Sequence, residues 1–93
     1  EPLQQAIRIM PDFYNAYSLL GVVAYQQGNI EEAIQQWEKA ISIEPKYVWP
    51  YLHLARMYRD LGEYAKARTY YHQVLSLEPQ NQTALKELVE LEE

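Results

Sequence analysis

The chain has 93 residues, 48% of them hydrophobic, no cysteine and a net charge of −5. That length holds one domain with enough apolar material for a core spread along the chain, and the missing cysteines exclude disulfides and thiolate zinc sites. Acids outnumber bases 13 to 8, which argues against general binding of phosphate backbones, and neither a membrane-length apolar run nor the pattern of a signal peptide occurs.

Taken in chain order, the first apolar phrase is Ala6-Ile7-Arg8-Ile9-Met10-Pro11. It recurs as Ala40-Ile41-Ser42-Ile43-Glu44-Pro45 and Val74-Leu75-Ser76-Leu77-Glu78-Pro79, with the three prolines 34 residues apart. A fixed period of this size marks a stack of one supersecondary unit. Between the prolines the apolar positions follow helical spacing: Ala16, Leu20, Val23 and Ala24, then Ile30, Ala33, Ile34, Trp37 and Ile41. The spacing predicts helices over 3–10, 13–27, 30–44, 48–61, 64–78 and 82–92. Gly28 and Gly62 end the first helix of each pair, because glycine takes the left-handed conformation at low steric cost. Asn29 followed by Glu32 reads as a capping box for the next helix. Pro50 falls in a first turn, where a missing N–H breaks no intrahelical bond. Residues 1–11 read as the second helix of a partial unit, so the chain is expected to begin inside a longer array. Complete units follow at 14–47 and 48–81. In residues 82–93, Ala84, Leu85, Leu88 and Leu91 are expected to form the single apolar face of a solvating cap, with Lys86, Glu87, Glu90 and Glu93 elsewhere; continuation into a further unit is the alternative.

These residues resemble the tetratricopeptide repeat family, whose unit reads W-x2-L-G-x2-Y, A-x3-F and P. The first unit offers Tyr17-x2-Leu20-Gly21-x2-Ala24, Ala33-x3-Trp37 and Pro45; the second offers Tyr51-x2-Leu54-Ala55-x2-Tyr58, Ala67-x3-Tyr71 and Pro79. The resemblance implies an all-α fold, a right-handed solenoid of helix-turn-helix hairpins. It also implies a non-catalytic interaction module that holds a peptide or protein segment on a concave face lined by the first helix of each hairpin. The small residues Gly21, Ala33, Ala40, Ala55 and Ala67 allow close helix approach, while Trp37 and Tyr71 are expected to fill the gaps between hairpins.

The residues that could carry other chemistry have simpler readings. His53 and His72 show no metal-ligand spacing, no glycine-rich phosphate loop occurs, and no serine sits in a triad context. No cofactor and no metal is expected, and an enzyme is not indicated. The nine tyrosines fall largely at repeat core positions, so nucleic-acid stacking is not expected either.

Mapping the implied concave face gives Asn15, Ser18, Leu19, Val22 and Gln26 from the first unit. The second contributes Trp49, Leu52, His53, Arg56 and Arg59, and the last helix Lys86. Tyr51 already serves as the core aromatic of its helix, so Trp49 is expected to face outward, and exposed Trp and Arg are the residue types that dominate binding hot spots. The plainer alternatives are i,i+4 pairs, Arg56 with Asp60 and Arg59 with Glu63. The Arg, His and Lys cluster points to an acidic ligand with an apolar anchor. The Asn, Lys and Arg set by which some relatives grip chaperone tails is absent, with Ser18, Leu19, Val22, His53, Thr83 and Glu87 at the matching places. The rival reading is a structural spacer or self-assembly module, associating through the N-terminal partial repeat, whose Leu3, Ile7 and Met10 form an apolar face. A soluble domain without membrane insertion is expected, with no targeting segment and no indication of localisation.

Overall fold

The computed structural model describes residues 2–91, with side chains described from Tyr14 onward. Among the described residues there are five helices and no strand: α1 (Pro2–Gln26), α2 (Ile30–Ile43), α3 (Val48–Asp60), α4 (Tyr64–Leu77) and α5 (Gln82–Leu91). The chain divides into two compact units, Glu1–Tyr47 and Val48–Glu93. Unit 1 is the hairpin of α1 and α2. Unit 2 is the hairpin of α3 and α4 with α5 packed on α4.

Both hairpin turns are built alike. Gly28 and Gly62 have φ of 85° and 82°, the left-handed region that glycine enters without steric cost. The Gly28 N–H donates to the Tyr25 carbonyl (3.0 Å) and the Asn29 N–H to the Ala24 carbonyl (2.9 Å). Gly62 to Arg59 (3.0 Å) and Glu63 to Tyr58 (2.8 Å) repeat the arrangement, which satisfies the carbonyls left open at a helix end. The expected capping box at Asn29 does not form. Asn29 makes no side-chain cap bond, and its N–H is already committed to Ala24, so Glu32 has no donor to reach back to. Glu32 instead accepts from the Gln36 amide at 2.7 Å.

The Glu-Pro turns also agree with the sequence. The Tyr47 N–H donates to the Glu44 carbonyl (3.1 Å) and the Asn81 N–H to the Glu78 carbonyl (3.0 Å). The glutamate side chains support these turns, Glu44 accepting from the Lys46 N–H (3.2 Å) and Glu78 from the Asn81 amide (2.9 Å). The expected break at Pro11, between helices at 3–10 and 13–27, is absent: α1 is one helix of 25 residues. The phrase before Pro11 ends in Met10 where the other two end in glutamate, so the carboxylate acceptor that steadies the later turns is missing. Pro50 sits in the first turn of α3, as its absent N–H requires, and is buried.

The cores follow from the small residues. In unit 1, Trp37 is buried with Ala24, Ala33 and Ala40, and its indole N–H donates to the Ser18 carbonyl at 3.0 Å. A Cβ on Gly21 would lie 2.5 Å from Trp37 Cδ1, so only glycine lets the indole seat against α1. In unit 2, Leu52, Ala55, Ala67, Tyr71, Val74 and Ala84 form one buried cluster, with Leu75, Leu88 and Leu91 packed against it. Leu20 and Val23, two of the apolar positions at helical spacing, are 49% and 41% exposed. The expected single apolar face of α5 is two faces. Ala84, Leu88 and Leu91 turn inward, while Leu85 and Val89 remain 38% and 58% exposed.

Candidate functional site

The strongest constellation lies in unit 2, on the side of α3 that meets α5. Trp49, His53 and Arg56 recur at helical spacing along α3 and share one face. Trp49 is 51% exposed, as the presence of Tyr51 in the same turn implied, and its ring stacks on His53 with centroids 5.9 Å apart. Beside it a cavity of about 200 Å³ is lined by Val48, Trp49, Leu52, Glu78, Asn81 and Thr83. The N-terminus of α5 that forms one wall is set by Asn81, whose side-chain oxygen accepts from the Ala84 N–H at 2.9 Å, a side-chain cap of the ordinary kind.

One turn further along both helices stands a charged cluster. The Arg56 guanidinium grips Glu87 through Nε (3.0 Å) and Nη2 (2.7 Å), the two-point geometry that makes Arg–carboxylate pairs strong. The Tyr71 hydroxyl donates to the same carboxylate at 2.8 Å. Arg59 approaches it at 3.5 Å, donates to the Tyr71 oxygen at 3.3 Å and pairs with Asp60 at 3.3 Å. Beyond the cluster, Arg59, Tyr64, Glu90 and Leu91 line a second cavity of about 400 Å³.

The protonation states follow from this packing. Burial alone would push the Glu87 carboxyl up, but the hydrogen bonds from Arg56 and Tyr71 and both guanidinium charges outweigh it and hold Glu87 below its ordinary range. The hydrogen bond to Glu87 raises Arg56. Burial, then the bond to Glu87 and its charge, push the Tyr71 phenol up to about 12. Burial lowers His53 from its ordinary value, and the neighbouring Arg56 charge adds to the effect; the imidazole is therefore neutral at neutral pH.

Several sequence expectations are corrected here. Leu52 is buried in the core of unit 2, so it floors the cavity beside Trp49 and presents no groove surface of its own. Ser18 is buried, with its carbonyl engaged by Trp37. Arg56 pairs with Glu87, with the Asp60 charge also acting on it, and Arg59 pairs with Asp60 and Glu87 in place of Glu63. Glu87, read as part of a solvated cap, has a side chain only 15% exposed. His53 adds no positive charge. Lys86 is exposed on α5, and in unit 1 Asn15, Leu19 and Gln26 are exposed on α1 with Val22 half-buried. Asn15 accepts from the Tyr47 hydroxyl at 2.7 Å, and Tyr47 packs edge-on against Tyr14 with centroids 4.8 Å apart. The residues that sequence reasoning missed are Asn81, Glu78 and the charged partner Glu87. Glu87 stands 34 residues after His53, itself 34 after Leu19, so an acid at a position otherwise apolar or neutral was the available signal.

Among the described residues no group of three His, Cys, Asp or Glu side chains could hold a metal ion, and no helix is long and apolar enough to cross a membrane.

Residues 24–93 match the family model described as regulator of microtubule dynamics protein 1-3. The chain is 34% identical over 70 residues to the uncharacterized protein ycf37 of Pyropia yezoensis, covering 75% of this chain and 39% of that protein. It is 30% identical over 86 residues to the chloroplastic tetratricopeptide repeat domain-containing protein PYG7 of Arabidopsis thaliana, covering 88% of this chain and 29% of that one. With the human tetratricopeptide repeat protein 7B it shares 31% identity over 64 residues, 69% of this chain and 8% of the relative. The chain thus spans well under half the length of these relatives.

Proposed function

The chain belongs to the family of regulator of microtubule dynamics protein 1-3 and is built from tetratricopeptide repeats, a protein-interaction module; from that premise we propose that unit 2 is a non-catalytic docking site for an extended peptide segment. The observation that carries this reading is Trp49, a large aromatic left 51% exposed at the mouth of a cavity. An apolar side chain of the ligand enters between Val48, Trp49 and Leu52, and Asn81 and Thr83 on the opposite wall offer polar groups to its backbone. Such an anchor, an apolar group closing over a tryptophan, is the usual centre of an interface.

Charge is the secondary feature. Arg56 and part of Arg59 are committed to Glu87, and Glu78 lines the anchor cavity itself. An acidic group on the ligand is therefore recognised beyond the anchor, toward Lys86 and Arg59, and contributes less than the anchor does. Asn15, Leu19, Val22 and Gln26 share a separate face of α1 in unit 1, which offers its own contacts to a protein segment.

A peptide-display selection run in parallel on the unaltered protein and on Trp49→Ala tests the reading. Trp49 lies outside the buried core, so the variant keeps its fold. Recovery of peptides sharing an apolar residue that are lost on Trp49→Ala is the expected result. Peptides retained equally by both proteins, or none at all, would overturn it.

A further inference from the structure

Between α1 and α2, beside the turn at Gly28, unit 1 has a hollow of about 700 Å³. Its two walls differ in chemistry. On the α1 side Leu20 and Val23 are 49% and 41% exposed, three residues apart and so on one helix face. On the α2 side stand Glu31, Glu32 and Gln36, and among the described residues that line the hollow none is basic. The Gln36 Nε2 donates to Glu32 at 2.7 Å, which fixes the orientation of the amide. The Gln36 Oε1 is then buried with no donor from the protein, a costly state for an acceptor.

The repeat explains how the hollow arises. The residues 34 positions after Ala24, Glu32 and Gln36 are Tyr58, Lys66 and Tyr70. In unit 2 the two tyrosine rings stack between α3 and α4, 5.8 Å apart and 7° from parallel. The Lys66 ammonium lies over Tyr58, 5.3 Å from the ring centre. Alanine and glutamine in place of two tyrosines open the groove of unit 1, and glutamate in place of lysine reverses the charge beside it. Unit 2 thus supplies a cation to this groove from its own chain, whereas unit 1 presents acids and an orphaned acceptor there. Acids in the first turn of α2 suit the helix dipole; the Gln36 oxygen and the exposed apolar wall have no such role.

We propose that this hollow docks a basic segment of a partner protein, an arginine of that segment entering with its stem along Leu20 and Val23 and its guanidinium between Glu32 and the Gln36 oxygen. Arginine suits the site better than lysine, because its planar fork of donors serves a carboxylate and an amide oxygen together. Its methylene stem is at home on apolar surface. Glu31 and the net charge of −5 add long-range attraction for a basic partner. The hollow lies wholly in unit 1, so this inference does not depend on the peptide site of unit 2.

Fluorescence anisotropy on the whole chain tests it, with a labelled short peptide of alternating arginine and leucine as the probe. A second peptide carries citrulline, neutral and of the same shape, in place of arginine. The arginine peptide should bind at least ~10-fold more tightly than the citrulline one, and added salt should weaken it. Glu31→Gln combined with Glu32→Gln should weaken it by a similar factor, with helicity by circular dichroism unchanged. Glu38→Gln combined with Glu90→Gln makes the same change of net charge at exposed positions outside the hollow and should have little effect. Trp49→Ala should leave the preference for arginine intact, and in NMR spectra the Gln36 side-chain amide should shift as the peptide is added. Equal binding of the two peptides would indicate a purely apolar partner, and equal loss in both pairs of acid variants a response to net charge alone. Binding that fades as protein concentration rises would indicate a second copy in the hollow. Any of these results, or no binding, would overturn the proposal.

Discussion

The two hairpins place an aromatic at the same repeat position, Trp37 in unit 1 and Tyr71 in unit 2, and the polar atom of each ring does opposite things. The Trp37 N–H turns back into its own hairpin and donates to the Ser18 carbonyl. The Tyr71 hydroxyl passes beyond its hairpin and donates to Glu87 of α5. The small residue opposite follows suit: the indole requires Gly21, whereas Ala55 suffices against the narrower phenol ring. A core aromatic thus closes the hairpin in one unit, and in the other also anchors the charged cluster beside the candidate site.

The sharpest way to break this comparison is Trp37→Ala, which should cost about 3–5 kcal/mol and remove cooperative melting of unit 1; an unchanged melt would contradict its core role. Next in size is Gly21→Ala, expected to cost about 1–3 kcal/mol through overpacking against the indole. Combining it with Trp37→Tyr recreates the pair of unit 2, so the double variant should be more stable than Gly21→Ala alone in urea unfolding. Tyr71→Phe should cost about 1–2 kcal/mol, because it leaves the buried carboxylate of Glu87 short of one donor. By NMR titration the Glu87 pKa should rise toward its ordinary 4.5 in that variant.

The smallest expected effects are the coupling of Arg56 to Glu87 and its pH dependence. A double-mutant cycle to alanine should give about 1–2 kcal/mol, since the arginine remains 34% exposed. Glu87 has a depressed pKa in the folded protein. Its contribution is complete above the ordinary value of 4.5 and is lost as pH falls through the lower folded value. His53 also has a lowered pKa, so the unfolded chain binds a proton first, and stability should begin to decline below about pH 6.5, earlier than Glu87 can account for. His53→Gln should remove that first decline and keep the second. A single acid transition in both proteins would show that His53 is not buried as described.

The repeat period, the hairpins and the outward face of Trp49 were legible in the sequence because each depends on local terms. Glycine at a left-handed turn, apolar residues at helical spacing and a second aromatic competing for one core slot all act within a few residues. The capping box at Asn29 looked equally local, yet it failed because the turn before it had already taken the N–H. Glu87 was misread for a related reason: among neighbouring acids its composition says solvent, and only the approach of α3 to α5 brings Arg56 and Tyr71 to it.

From sequence alone, then, come the helical-hairpin repeat, the positions of the turns and the aromatic cores, since their causes are periodicity and backbone conformation. What the tertiary structure decided is which groups of opposite charge meet, which apolar residues become cavity floor and which stay bare. Leu52 and Trp49 lie three residues apart on one helix, and it is the arrival of α5 that makes one a floor and the other a rim. The course of α1 through Pro11 belongs with these. A proline after the repeated phrase can begin a turn or continue a helix, and the choice rests on partners, such as the carboxylates of Glu44 and Glu78, that the local pattern does not by itself supply.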